Sequence, residues 1–202
     1  SGKTQVYLRL IEDVIADGRG VIVMVPEISL TPQTVALFHQ RYGRQVAVFH
    51  SGLSLGERLD EWKRVKNGQA KIVVGTRSAV FAPFERLGLI VMDEEQEATY
   101  KSESAPRYHA RDVAKFRCAY HKALLLLCSA TPSVETTYFA QRGRYSMVPL
   151  PSRYGPAELP QVTIADMNQE ILRGNSTAFS GALKEALAET LAKREQAILL
   201  LN

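Results

Sequence analysis

Only two cysteines, Cys118 and Cys128, occur in the 202 residues. Two thiols without metal-ligand spacing exclude both a disulfide framework and a structural zinc site. Each sits in or beside an apolar run, so both read as reduced, structural, intracellular-type thiols. No apolar run approaches the roughly 20 residues that a membrane-spanning helix needs. No stretch has the layout of a secretory leader. Repeats and low-complexity tracts are missing too, which leaves solenoids, fibres and long disordered tails without support. Charge is nearly balanced at a net +4, which permits a polyanionic partner without requiring one. A hydrophobic share of 46% beside 23% charged residues is that of an ordinary globular protein, long enough for one domain and part of a second.

What is present alternates. Apolar runs at 21–25, 46–49, 72–74, 89–92 and 124–127 read as buried strands. Between them lie helical patterns. The first follows Thr4, with Val6, Leu10 and Val14 on one face. Others run over 31–42, 110–120 and 134–141. The helix after Ser54 is the best signalled: Ser54 with Glu57 forms a capping box, and Leu55, Leu59, Trp62 and Val65 recur at helical spacing. A further strand is expected near Met147. Continuous apolar strands separated by helices predict an α/β fold, a parallel sheet sandwiched by helices. Residues 149–160 carry four prolines besides Gly155 and read as a linker over 151–160. Beyond it, a strand at 162–165, a turn at 174–177, a helix over 180–194 and an orphan apolar strand at 197–201 are expected. That is too little to fold alone, and the orphan strand would be disordered or would pair with another molecule.

The chain opens on Ser1-Gly2-Lys3-Thr4, the second half of the phosphate loop G-x-x-x-x-G-K-[ST]. It therefore reads as a piece of a longer chain. Backbone N–H groups at a helix N-terminus cradle phosphates, the lysine reaches the β/γ-phosphates, and the hydroxyl binds Mg²⁺. The same four residues could equally be a helix cap. Asp93-Glu94 tips the balance. They follow the run at 89–92, where P-loop NTPases hold Mg²⁺ on a carboxylate, and a second carboxylate beside it suits activation of water. Solvated acids at a strand end are the alternative, but paired with an upstream Gly-Lys-Thr they point to ATP hydrolysis. Ser129 and Thr131, after the run at 124–127, could serve as a polar relay or as a simple turn before Pro132. Because ligands bind at the carboxyl ends of parallel strands, Pro26, Thr76-Arg77, Asp93-Glu94 and Ser129-Thr131 are all expected on one edge.

These clusters carry a family resemblance. Ser-Gly-Lys-Thr, then Val-Pro-Glu-Ile-Ser-Leu-Thr-Pro-Gln at 25–33, Gly-Thr-Arg-Ser-Ala-Val-Phe at 75–81, Asp-Glu-Glu-Gln at 93–96 and Ser-Ala-Thr-Pro at 129–132 resemble motifs I, Ia, Ib, II and III of superfamily 2 helicases. Their wording is similar to that of the primosomal replication-restart DNA helicases. Further similarity lies in His50-Ser51-Gly52-Leu53 and in an aromatic-rich loop from Tyr100 to Asp112. The resemblance implies a RecA-like first motor lobe over 1–150 and the incomplete start of a second lobe over 161–202. It implies that Ser1, Gly2, Lys3 and Thr4 bind nucleotide, that Thr4 and Asp93 hold Mg²⁺, and that Glu94 activates water. Gln96, Ser129 and Thr131 would couple nucleotide state to DNA. Pro26, Thr31, Thr76, Arg77, Tyr100, Tyr108, His109 and Arg111 would face single-stranded DNA. The implied cofactors are ATP and Mg²⁺, with zinc confined to parts of the parent outside this sequence. Implied partners are single-stranded and forked DNA, primosome proteins and single-strand-binding proteins, in the bacterial cytoplasm near the nucleoid. Without a second-lobe arginine, the piece alone is expected to be inactive. A DNA-binding module without turnover and a P-loop NTPase unrelated to DNA stay open as alternatives. One departure stands out: the family usually has His where this chain has Gln96. Glutamine retains a donor and an acceptor but cannot titrate.

Overall fold

The structure, a computed structural model, describes residues 2–151 and 160–200. The chain divides into two units, 1–155 and 156–202.

In the first unit, strands β1 (Gly20–Met24), β2 (Val46–Phe49), β3 (Ile72–Gly75), β4 (Leu87–Met92) and β5 (Leu124–Leu127) form one sheet of order β2-β3-β1-β4-β5. Every pairing is parallel. Helices α1 (Lys3–Ala16), α2 (Pro32–Tyr42), α3 (Leu55–Lys66), α4 (Ala110–His121) and α5 (Val134–Gln141) accompany it. The period of two along each strand sends alternate residues to opposite faces. Val21, Val23, Ile72, Val74, Leu89 and Val91 meet Tyr7, Leu8 and Ile11 of α1 and Phe38 of α2. Ile22, Met24, Val73, Ile90 and Met92 meet Val65 of α3 and Ala110, Ala114 and Cys118 of α4. Both faces are covered, so the strands read as unbroken apolar runs. Close approach leaves no room at Gly75, where a Cβ would lie 2.2 Å from the Phe49 carbonyl oxygen.

The two sheet edges differ. At β2, the Val48 N–H donates to Glu61 Oε2 (3.0 Å) and the Val46 carbonyl accepts from Arg64 (3.1 Å). Glu61 and Arg64 are themselves paired at 2.6 Å. A helix side chain thus occupies backbone groups that would otherwise invite another strand. At β5, no strand pairs the outer edge among the described residues, and Leu124 is half exposed.

Several sequence expectations need correction. The buried side of α1 is Tyr7, Leu8 and Ile11, while Val6 is exposed and Leu10 and Val14 are only partly covered. The face of α3 that packs on the sheet carries Glu61, Arg64 and Val65, so Leu55, Leu59 and Trp62 remain at the surface. The capping box of α3 is present as expected, with Ser54 and Glu57 reciprocally bonded. No strand forms near Met147 or at 162–165. Residues 197–200 form no strand, and Ile198 and Leu200 are fully solvated. Leu201 lies outside the described residues, as does most of the expected linker, 152–159.

The second unit holds α6 (Met167–Leu172), which was not foreseen, and α7 (Gly181–Ala192), capped by Asp166 and Ser180 respectively. Glu170 joins them by accepting from the Gly181 N–H and Asn175 Nδ2, each at 2.7 Å.

Candidate active site

Because all five strands run the same way, their carboxyl ends share one edge. α1 starts there from Gly2, whose left-handed backbone (φ 77°) suits glycine. The first turn of α1 carries no acidic residue, so its free N–H groups and dipole favour an anion. Ser1 lies outside the described residues. From the first position of this helix, Lys3 Nζ donates to Glu94 Oε1 at 2.6 Å and lies 3.9 Å from Asp93 Oδ1. Thr4 follows it, partly buried.

The two carboxylates are held unequally. The Asp93 N–H extends the sheet by donating to the Met24 carbonyl (2.9 Å). Glu94 then turns into a left-handed conformation (φ 47°), which costs a non-glycine residue on the order of 1 kcal/mol or more. Its N–H donates to Asp93 Oδ1 (3.1 Å), and its carbonyl accepts from Glu97 (2.9 Å). Burial raises the Asp93 pKa, helped by the Glu94 charge and opposed by Lys3. Burial also works against Glu94, but hydrogen bonds from Lys3 and Gln96, with the Lys3 charge, outweigh it and leave its pKa below the ordinary value. Adjacent acids pushed apart in this way are suited to different roles.

A polar relay continues from Glu94. Gln96 Nε2 donates to Glu94 Oε2 (3.0 Å), Ser129 Oγ donates to Gln96 Oε1 (2.6 Å), and the Thr131 N–H donates to Ser129 Oγ (2.9 Å). The amide orientation satisfies both neighbours. The relay therefore links α1, the loop after β4 and the loop after β5.

Glu95 was missed by sequence reasoning. It is 2% exposed and accepts from the Ser133 N–H (2.7 Å), Ser133 Oγ (3.2 Å), Thr136 Oγ1 (3.0 Å) and Arg111 (3.1 Å). No local signal marks it, because its hydroxyl partners Ser133 and Thr136 lie 38 and 41 residues further along the chain. Arg111 was expected to face DNA. Instead its guanidinium is drawn inward by the Glu95 charge, and its Nε is buried without a partner among the described residues. Tyr100 needs the same correction. It is 1% exposed, and its hydroxyl reaches the Asp93 carbonyl (2.6 Å) and the Met24 carbonyl (3.0 Å). Burial, above all, pushes its pKa up, so it is a neutral brace between β1 and β4, with no face free for a base.

The other expected DNA contacts are mixed. Pro26 and Thr76 are buried. Thr31 caps α2 by accepting from the Thr34 N–H (3.2 Å). Arg77 donates to the carbonyls of Thr99 (3.1 Å) and Lys101 (2.6 Å) and lies over the Tyr108 ring at 6.0 Å. Tyr108 also meets Phe81 edge-on at 5.1 Å. His109 Nδ1 accepts from the Arg111 N–H (3.1 Å). Burial first, then the Arg111 charge, lowers its pKa, so it is neutral near pH 7. Thr31, Arg77, Tyr108 and His109 remain partly accessible. A cleft of about 760 Å³ opens beside α2 and β2, lined by Leu30, Val35, Val48, His39, His50 and Thr76; neither Asp93 nor Glu94 lines it. Both thiols are inert: burial pushes Cys118 up to about 11 and Cys128 up to about 12.

The model of the DEAD/DEAH box helicase family matches residues 1–138. The chain belongs to that family. Within it, the Replication restart protein PriA of Bacillus subtilis (strain 168) is 52% identical over 202 residues, covering all of this chain and 25% of that protein. Its counterpart in Synechocystis sp. is 45% identical over 207 residues, again covering all of this chain and 25% of the relative. That of Treponema pallidum is 44% identical and covers 30% of the relative. This helicase-family chain thus spans 25% to 30% of the length of these relatives. Among solved structures, the Pyrococcus furiosus Hef helicase domain aligns with a TM-score of 0.47 at 19% identity, over 68% of this chain and 30% of that one. A likeness that distant says nothing about activity.

Proposed function

We propose that this chain is the ATP-binding motor lobe of a DNA helicase acting in replication restart. The observation that carries the reading is the relay from Lys3 through Glu94 and Gln96 to Ser129, which ties the phosphate loop to two further strand ends. Lys3, now neutralised by Glu94, pairs instead with the β/γ-phosphates of ATP. That exchange frees Glu94 to accept a proton from the attacking water, a task its hydrogen bonds to Gln96 orient. The half-buried Asp93 carboxylate and the Thr4 hydroxyl fit Mg²⁺, which takes one or two protein oxygens beside phosphates and waters. Bound there, Mg²⁺ neutralises phosphate charge. Ser129 and Thr131 then sense, through Gln96, whether Glu94 is engaged. Thr31, Arg77, Tyr108 and His109 offer the accessible groups for single-stranded DNA; Tyr100 and Arg111 act only by shaping the loop behind them.

The relatives' name, Replication restart protein, supports a role for the whole protein in replication restart; we propose that it acts at stalled, forked DNA with primosome and single-strand-binding partners, in the bacterial cytoplasm. Residues 161–202 are assigned to the opening of the second motor lobe. The test is ATP turnover by the whole protein with and without single-stranded DNA. Stimulation by DNA is expected. Turnover indifferent to DNA would indicate a different P-loop NTPase, and DNA binding without turnover a passive module.

A further inference from the structure

Away from the carboxyl edge, α4 and the end of α5 bring cations and aromatic rings together. Lys115 Nζ lies 5.6 Å from the Phe139 ring centroid and 5.5 Å from that of Tyr145. Arg144 lies 5.5 Å over Phe139, and Arg142 5.4 Å over Tyr138. The rings support one another, with Phe139 5.8 Å from Tyr138 and 5.5 Å from Tyr145. Lys115 has Asp112 3.8 Å away, but among the described residues no carboxylate pairs with Arg142 or Arg144. Both arginines are exposed and Tyr138 is half exposed. The acids on the two helices are Asp112 and Glu135 alone.

Two guanidinium planes, unpaired among the described residues and held against rings, are pre-organised and cannot lose their charge. Such groups fit phosphates and the faces of unpaired bases, and they read no sequence. The site is separate from the relay. Ser133, which caps α5, touches Glu95, and the eight residues of α5 carry the chain about 12 Å further before Arg142. We propose that Arg142 and Arg144, braced by Tyr138, Phe139 and Tyr145, form a second contact for the phosphate backbone of single-stranded DNA, on the flank of the sheet rather than at its carboxyl edge. This rests on the reading that the chain binds DNA.

The experiment is fluorescence anisotropy of a labelled oligothymidylate of about 20 nucleotides, titrated with the 202-residue chain across a salt series. Each single-strand phosphate contact contributes about 0.7 to the slope of log affinity against log salt. Arg142→Ala/Arg144→Ala should therefore lower the slope by about 1.4 with an unchanged thermal melt, since both side chains are exposed. Arg142→Lys/Arg144→Lys should restore most of the slope because lysine keeps the charge. An unchanged slope and affinity in the alanine variant overturns this proposal alone. So does competition by a polyglutamate peptide as strong as that by an oligonucleotide of equal charge, since the surface would then suit an acidic protein. No DNA binding by the unsubstituted chain removes the reading that this chain itself contacts DNA, and this proposal with it.

Discussion

Replacing Arg111 by methionine isolates the buried contact that sequence reasoning missed. Methionine keeps much of the length and apolar volume of arginine but removes its charge. Glu95, whose side chain is 1% exposed, would keep the Ser133 N–H at 2.7 Å and the hydroxyls of Ser133 and Thr136. It would lose the only cation within 4 Å among the described residues. Breaking one partner of a buried pair costs about 3–5 kcal/mol because the remaining charge is uncompensated. For a chain of this size, each kcal/mol moves the melting temperature by about 2–4 °C, so a fall of roughly 10 °C is expected. Glu95→Gln should also destabilise, by stranding Arg111. The double variant should cost less than the sum, with a coupling energy of about 2 kcal/mol. Urea unfolding of the parent, both single variants and the double variant at pH 7 completes the cycle. A cost under about 1 kcal/mol for Arg111→Met, or strict additivity, would refute the claim that this pair ties the loop after β4 to the start of α4.

Three further outcomes are expected. Asp93→Asn should raise the melting temperature at pH 7 while abolishing turnover. The Asp93 pKa is raised in the fold, so its favourable contribution exists below the unfolded value and is lost as pH rises through the folded one; the gain of the variant should vanish below about pH 4, and a gain independent of pH would contradict the reasoning. Tyr100→Phe should cost about 1–3 kcal/mol in urea unfolding. Met24 keeps the Asp93 N–H on its carbonyl while the Asp93 carbonyl is orphaned; no measurable cost would show that the brace is idle. Gln96→His should give DNA-stimulated turnover a new inflection between about pH 5.5 and 7.5, and the same inflection in the parent would mean that another group titrates.

The sheet was legible because fully buried strands announce themselves as unbroken apolar runs bounded by Gly, Pro and polar clusters, as at β1 and β4. The clustering of Lys3, Asp93, Glu94, Gln96 and Ser129 was legible too, since parallel strands force their carboxyl ends together. Side-chain direction was not. Tyr100 and Arg111 sit in a polar loop whose sequence looks solvent-facing, yet the unpaired Asp93 carbonyl and the Glu95 charge draw them inward. Helical period also misled at α3: Leu55, Leu59 and Trp62 share a stripe, but β2 has a free edge, and Glu61 and Arg64 are held against it. Short apolar runs at 162–165 and 197–200 have the composition of strands. Without a neighbouring strand to supply backbone partners, that composition decides nothing.

The most direct measurement is ATP turnover and ATP affinity of the whole protein carrying Glu94→Gln, with and without single-stranded DNA. In the proposed reading, Glu94 takes the proton from water while Lys3 holds the phosphates. Turnover in the presence of DNA should therefore fall by about 10²-fold or more, with ATP affinity retained or increased because Lys3 loses its competing carboxylate. Turnover equal to that of the unsubstituted protein, or a parallel loss of ATP binding, would contradict the account.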